Sequence, residues 1–219
     1  MRAPLPALAH TVRLAVLAAI SLTSSAADVG FTGIAKRGVV VARACQSCHG
    51  AHGEGLPAAG NPRLAGQSAR YLLKQLRDYV SGSRSNPVMT PIAKAYNGQQ
   101  QMDVATYYAS LTRPYTAPVA SSDKRLIGRG RLLVRAGDES KQVQACGNCH
   151  GPDGSGEAPV APYLAGQSGN YLVSAINEWK SGARRNDGGG QMAVVALRLD
   201  DGDLAALAAY FESLGQGTL

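Results

Sequence analysis

Cys45-Gln46-Ser47-Cys48-His49 returns 101 positions later as Cys146-Gly147-Asn148-Cys149-His150. Each pentad has the spacing by which a c-type haem is attached. Two thiols three residues apart on one helical turn can each bond a vinyl group of the porphyrin, and the histidine that follows then faces the iron as proximal ligand. The pentads use all four cysteines and two of the four histidines of the chain. Three rival readings explain less. A four-cysteine zinc site has no use for a histidine after each pair. A thioredoxin-like motif requires a βαβ setting, whereas these flanks look helical. Structural disulfides leave the doubled histidine unexplained. The expected cofactors are two covalently bound haem c groups.

Residues 1–27 read as a secretory signal peptide. Arg2 and Arg13 precede the short apolar run Leu14-Ala15-Val16-Leu17-Ala18-Ala19-Ile20, and small residues continue to a cleavage site near Ala26 or Ala27. The run is short for a bilayer span, an uncleaved anchor being the alternative. The mature chain is expected in the periplasm. Removing this segment lowers the net charge from +7 to +5. Residues 28–114 carry 10 basic and 4 acidic side chains, and residues 115–219 carry 10 and 11. Haem propionates would bring the reduced holo-protein to about +1. The positive first half can orient docking, and the lack of a basic stripe excludes nucleic acid as a partner.

The repeat extends beyond the pentads. Leu64-Ala65-Gly66-Gln67-Ser68 is matched by Leu164-Ala165-Gly166-Gln167-Ser168, Tyr71-Leu72 by Tyr171-Leu172, and Ser81-Gly82 by Ser181-Gly182. Tyr107-Tyr108-Ala109-Ser110-Leu111 is answered by Tyr210-Phe211-Glu212-Ser213-Leu214. The organisation is therefore a signal peptide at 1–27, a haem domain at 28–111, a linker at 112–122 and a second haem domain at 123–219. Pro114 and Pro118 stiffen the linker, whose eleven residues reach ~34 Å at full polyproline stretch.

The fold class is all-α, two tandem domains related by internal duplication. A first helix over 36–48 runs into its haem pentad, and 129–135 begins its counterpart, interrupted at 137–141. Ser68 and Ser168 are N-caps for helices ended by Gly82 and Gly182. Final helices lie near 99–111 and 201–214, and no alternation marks a strand. Domains this small have a modest core, so a haem supplies the apolar centre and the apo-protein is expected to be unfolded or molten.

The mature chain has three methionines. Met89 and Met192 follow their haem histidines by 40 and 42 residues, in Gly/Pro/Asn-rich segments suited to a loop across the haem. They are the expected sixth ligands, giving metal ligand sets His49/Met89 and His150/Met192, with Cys45, Cys48, Cys146 and Cys149 binding the cofactors. Met102 has no counterpart and reads as packing. His52 reads as an exposed loop residue, with Asp153 at its equivalent. With both axial positions filled, neither iron is open to substrate, and no catalytic residue is assigned.

On these residues, with the doubled Cys-x-x-Cys-His-Gly and Leu-Ala-Gly-Gln, Asn86-Pro87-Val88-Met89 and the closing helices, the chain resembles the cytochrome c4 family of dihaem class I cytochromes c. The resemblance covers essentially all of the mature sequence. It implies two class I cytochrome folds about a pseudo-twofold, with propionates facing each other, and electron carriage from a cytochrome bc complex or dehydrogenase to a terminal oxidase, with peripheral membrane association. It also implies that the carbonyls of Pro62 and Pro162 accept the proximal imidazole N–H, that Gln67 and Gln167 either touch propionates or pack at helix entries, and that Tyr79 and Trp179 wall the porphyrins. The second ligand loop, Asn186-Asp187-Gly188-Gly189-Gly190-Gln191-Met192, departs from the Pro-x-Met pattern, so a weaker Met192 bond and unequal potentials are expected.

The leading function is a periplasmic dihaem carrier between respiratory partners. The alternative is an electron-accepting subunit of a periplasmic dehydrogenase, such as flavocytochrome c sulfide dehydrogenase. A dihaem peroxidase is a third reading, disfavoured by chain length and by the paired methionines.

Overall fold

A computed structural model describes residues 31–111 and 123–215, and each stretch forms five α-helices. The first half has α1 (Ala35–Ala42), α2 (Gln46–His49), α3 (Ala69–Ser81), α4 (Met89–Lys94) and α5 (Gly98–Ser110). The second has α6 (Lys124–Arg135), α7 (Gly147–His150), α8 (Gly169–Lys180), α9 (Gln191–Arg198) and α10 (Asp201–Ser213). Isolated bridges occur, but no strand among the described residues. None of these helices is long and apolar enough to cross a membrane. The expected signal peptide and the linker at 112–122 lie outside the described residues.

Local chemistry sets the helix ends. Ser68 and Ser168 accept from the N–H groups of Tyr71 and Tyr171, both at 3.4 Å, satisfying donors that the first turn leaves over. Asn97 with Gln100, and Asp200 with Asp203, form reciprocal capping boxes at α5 and α10. Gly82, left-handed at φ 84°, ends α3.

The first helix is not continuous over 36–48 as expected. After Ala42 the chain passes through a tighter turn, where the Cys45 N–H bonds to the Ala42 carbonyl, and the pentad then forms a separate short helix. In the second half α6 ends at Arg135, and the interruption expected at 137–141 is a tight turn closed by a bridge between Asp138 and Val143.

Each half closes where its first long helix crosses its last. A Cβ on Gly38 would lie 2.1 Å from the Asp103 carbonyl oxygen, and one on Gly130 2.2 Å from that of Ala206. The two backbones touch at both crossings. Beside the first lies a core of Ala42, Leu72, Leu73, Val104, Ala105 and Tyr108, and beside the second a larger one around Leu133, Val134, Leu172, Leu207 and Tyr210. Met102 packs on the first core, in line with its reading from sequence.

Candidate haem sites

The residues that follow each pentad build a rigid seat for its histidine. The Gly55 N–H returns to the His49 carbonyl at 2.7 Å, and Gly156 to that of His150 at the same distance. Leu64 and Ala65 donate to the Gly53 carbonyl, and Leu164 and Ala165 to that of Gly154. The repeated Leu-Ala-Gly-Gln is then fixed from the closing helix: the Gly66 N–H bonds to the Tyr108 carbonyl at 2.9 Å, and the Gly166 N–H to that of Phe211 at 2.6 Å. Both glycines have positive φ, 71° and 66°, which is why glycine recurs there.

His49 and His150 are buried, and their Nδ1 atoms lie 2.9 and 3.0 Å from the carbonyls of Pro62 and Pro162. A carbonyl only accepts, so Nδ1 carries the proton and Nε2 keeps the lone pair that a metal needs. Burial lowers both imidazole pKa values, against the opposing proline bonds, which favours the neutral ligand form.

None of the four cysteines is paired in a disulfide. Burial pushes Cys146 up to about 11 and shifts Cys45 in the same direction. Among the described residues no three His, Cys, Asp or Glu side chains cluster as a metal site. The zinc reading therefore finds no site.

Met89 and Met192 are not in loops, as expected from sequence. They occupy the first and second positions of α4 and α9, helices that the Gly/Pro/Asn-rich composition concealed. Both side chains are half-exposed and belong to neither core cluster. The Asn86 side chain accepts from the Met89 N–H at 2.9 Å. The Asp187 carboxylate accepts from Met192 and Ala193 at 2.7 and 3.1 Å. Gly189 and Gly190 are left-handed, at φ 71° and 70°, so the glycine run makes a defined turn rather than a slack one.

The glutamines of the repeat stand at helix entries, their side-chain oxygens accepting from the Ser68 and Ser168 N–H groups, and they also join the two halves. Gln67 reaches into the second half, where its amide donates to the Tyr163 carbonyl and accepts from the Tyr163 N–H, both at 3.0 Å. Gln167 reciprocates on Arg63, at 3.1 and 2.9 Å. The two form a clasp about a pseudo-twofold that also relates Arg84 to Arg184 across a backbone bridge. Arg84 donates to the Tyr171 hydroxyl and Arg184 to that of Tyr71, both at 3.2 Å. Gln75 accepts from both guanidinium groups at 3.0 Å. Sequence reading missed this cluster because Arg84 and Arg184 lie past the ends of α3 and α8, in segments with no periodic pattern, although Arg84/Arg184 and Tyr71/Tyr171 share the 100-residue offset of the repeat.

Tyr79 and Trp179 also meet this cluster. The Arg84 guanidinium lies 4.9 Å above the Tyr79 ring and that of Arg184 3.9 Å above Trp179. Two buried side-chain donors, Arg84 Nε and Trp179 Nε1, have no hydrogen-bond partner among the described residues. Orphaned buried donors carry a desolvation cost, and beside buried arginines they suit an anionic acceptor such as the carboxylate edge of a haem. The donor set and this interface thus fit the expected group.

Two buried histidines, each seated on a proline carbonyl after a cysteine pair, define a duplicated c-type cytochrome. The family model for cytochrome c matches residues 35–112 and 135–215, and cytochrome c4 of Pseudomonas aeruginosa is 35% identical, covering 88% of this chain and 98% of its own. The chain belongs to the cytochrome c4 family, dihaem electron-transfer cytochromes with two covalent haem c groups. A thiosulfate dehydrogenase electron acceptor from Stutzerimonas stutzeri is 41% identical over 80% of this chain and 81% of that protein. Reduced cytochrome c4 from Pseudomonas stutzeri superposes with a TM-score of 0.75 at 33% identity, covering 84% of this chain and all of that one. The thiosulfate dehydrogenase TsdBA of Marichromatium purpuratum gives 0.77 at 38% identity over 82% of this chain, which spans only 40% of that longer one.

Proposed function

We propose that the protein is a periplasmic one-electron carrier with both haems held by His/Met pairs, His49 with Met89 and His150 with Met192, and with Cys45, Cys48, Cys146 and Cys149 as the attachment residues. The bound haem supplies reversible one-electron chemistry at its iron. The chain's contribution is to hold it. Pro62 and Pro162 fix the imidazoles, the capped starts of α4 and α9 present the thioethers, and two closed axial faces leave carriage rather than turnover.

The observation that carries this reading is the placement of the methionines. Met102 is packed into a core, whereas Met89 and Met192 stand outside both cores at equivalent helix starts. The division into 28–111, 112–122 and 123–219 belongs to the same reading. The carrier is favoured over a flavocytochrome-type subunit. The relatives named as thiosulfate dehydrogenase electron acceptors support a periplasmic thiosulfate-oxidising dehydrogenase as donor, beside a cytochrome bc complex. A terminal oxidase at the membrane surface is the acceptor.

Oxidised and reduced spectra with haem quantified per chain test the ligation. Two haems and a near-infrared methionine–iron band of two-site intensity are expected, and Met192→Ala should remove half of that band. Thiosulfate with its dehydrogenase should reduce the protein, and a failure to do so would remove that donor.

A further inference from the structure

The two methionine segments are anchored differently. From the interface arginine to the methionine there are five positions in the first half (Arg84 to Met89) and eight in the second (Arg184 to Met192). In the shorter segment Asn86 turns inward, and its carbonyl oxygen accepts from Val88 and Met89, both at 2.9 Å. In the longer one Asp187 takes over that task, which frees the equivalent asparagine.

Asn186, buried at 8% exposure, uses this freedom to reach across the interface. Its amide donates to Gln75 Oε1 at 2.9 Å and to Asp78 Oδ2 at 2.6 Å, both on α3 of the other half. Its side-chain oxygen accepts from Arg184 Nε at 2.8 Å, and its backbone carbonyl accepts from Lys74. The path from α3 through Asn186 and the adjoining Asp187 to the Met192 N–H contains one peptide bond and one carboxylate. The bonds from Asn86 stay within its own segment, where its N–H also meets Thr90.

We infer that Asn186 is a positioning residue through which the first half holds the Met192 segment, so that the strength of the second haem's sixth bond depends on residues of the other domain. The inference rests on Met192 being that ligand. Gln75 and Asp78 act on the second haem through Asn186, whereas the side chain of its counterpart Asn86 bonds only within its own segment.

The test uses the holo-protein, with displacement of methionine by added imidazole followed in the near-infrared band and both potentials measured by redox titration. Met192→Ala assigns the second site. Asn186→Ala and Asp78→Ala should each speed displacement at that site by on the order of tenfold, the scale of a lost buried bond. They should also lower its potential, since methionine ligation raises it, with the first haem unmoved. Asn86→Ala should act on the first haem alone. If Met192→Ala leaves the band whole, the ligation reading fails and the tether with it. If Met192→Ala halves the band while Asn186→Ala and Asp78→Ala displace at the wild-type rate, the tether alone is overturned. Should Asn186→Ala not fold, Asp78→Ala, at a half-buried residue of the first half, decides.

Discussion

At the level of single residues, the aspartates at helix crossings make the fold sensitive to acid. Asp103 and Asp203 both sit below the usual carboxylate range. Burial opposes this, but hydrogen bonds from Arg37 to Asp103, and from Lys141 and Arg129 to Asp203, outweigh it. Asp138 is lowered to about 2, first by the Ser140 hydroxyl and then by Arg129. An unfolded aspartate titrates near ~3.9, so on acidification the unfolded chain takes up protons first. Stability from these groups is full above that value and is lost as pH falls through the folded ones. Urea midpoints of the holo-protein should therefore drop between pH of about 6 and about 3. Equal midpoints would count against these pairs. The pentads were legible at this scale because haem attachment demands a fixed spacing. The aspartate pairs were not, since Arg37 and Asp103 are 66 positions apart.

Among the helices, the α6–α10 crossing offers a paired comparison. Gly130 faces the Ala206 carbonyl, whereas nothing lies within 4 Å of a Cβ built on Gly128 in the same helix. Gly130→Ala should cost about 1–3 kcal/mol through overpacking. Gly128→Ala should gain up to about 1 kcal/mol from helix propensity. Chemical denaturation of both variants checks the sign, and two changes of the same sign would contradict a backbone contact at Gly130. Sequence placed α3, α5, α8 and α10 to within a residue or two because their caps are local. It missed α4 and α9: short helices that begin directly after Pro87-Val88 and Gly189-Gly190 show too few turns for a periodic pattern.

Over the whole molecule, the interface and the charge distribution govern behaviour. Gln167→Ala leaves the peptide N–H and carbonyl of Arg63 without their partner in the other half, at about 1–3 kcal/mol for each buried group stranded. Gln67→Ala does the same at Tyr163. Either variant should lower the shared unfolding transition and separate the two halves' unfolding, readable by calorimetry, while a single unshifted transition would mean that the clasp adds nothing. The excess of basic side chains in residues 28–114 predicts docking of that half on an acidic partner. Electron exchange through it should then slow as ionic strength rises, and a salt-independent rate would exclude such steering. Sequence revealed the duplication but not how the copies meet, because both Gln67 and Gln167 sit in motifs that read equally well as helix entries.

The clasp has a bearing on how the two copies could drift apart. Gln67 and Gln167 grip peptide groups, not side chains, so the gripped positions carry no demand on residue type beyond a free N–H. One of them is now arginine and the other tyrosine, and the Arg63 guanidinium has come to rest 4.6 Å above the Tyr163 ring. A joint made from backbone lets the two copies of the repeat carry different side chains along their seam.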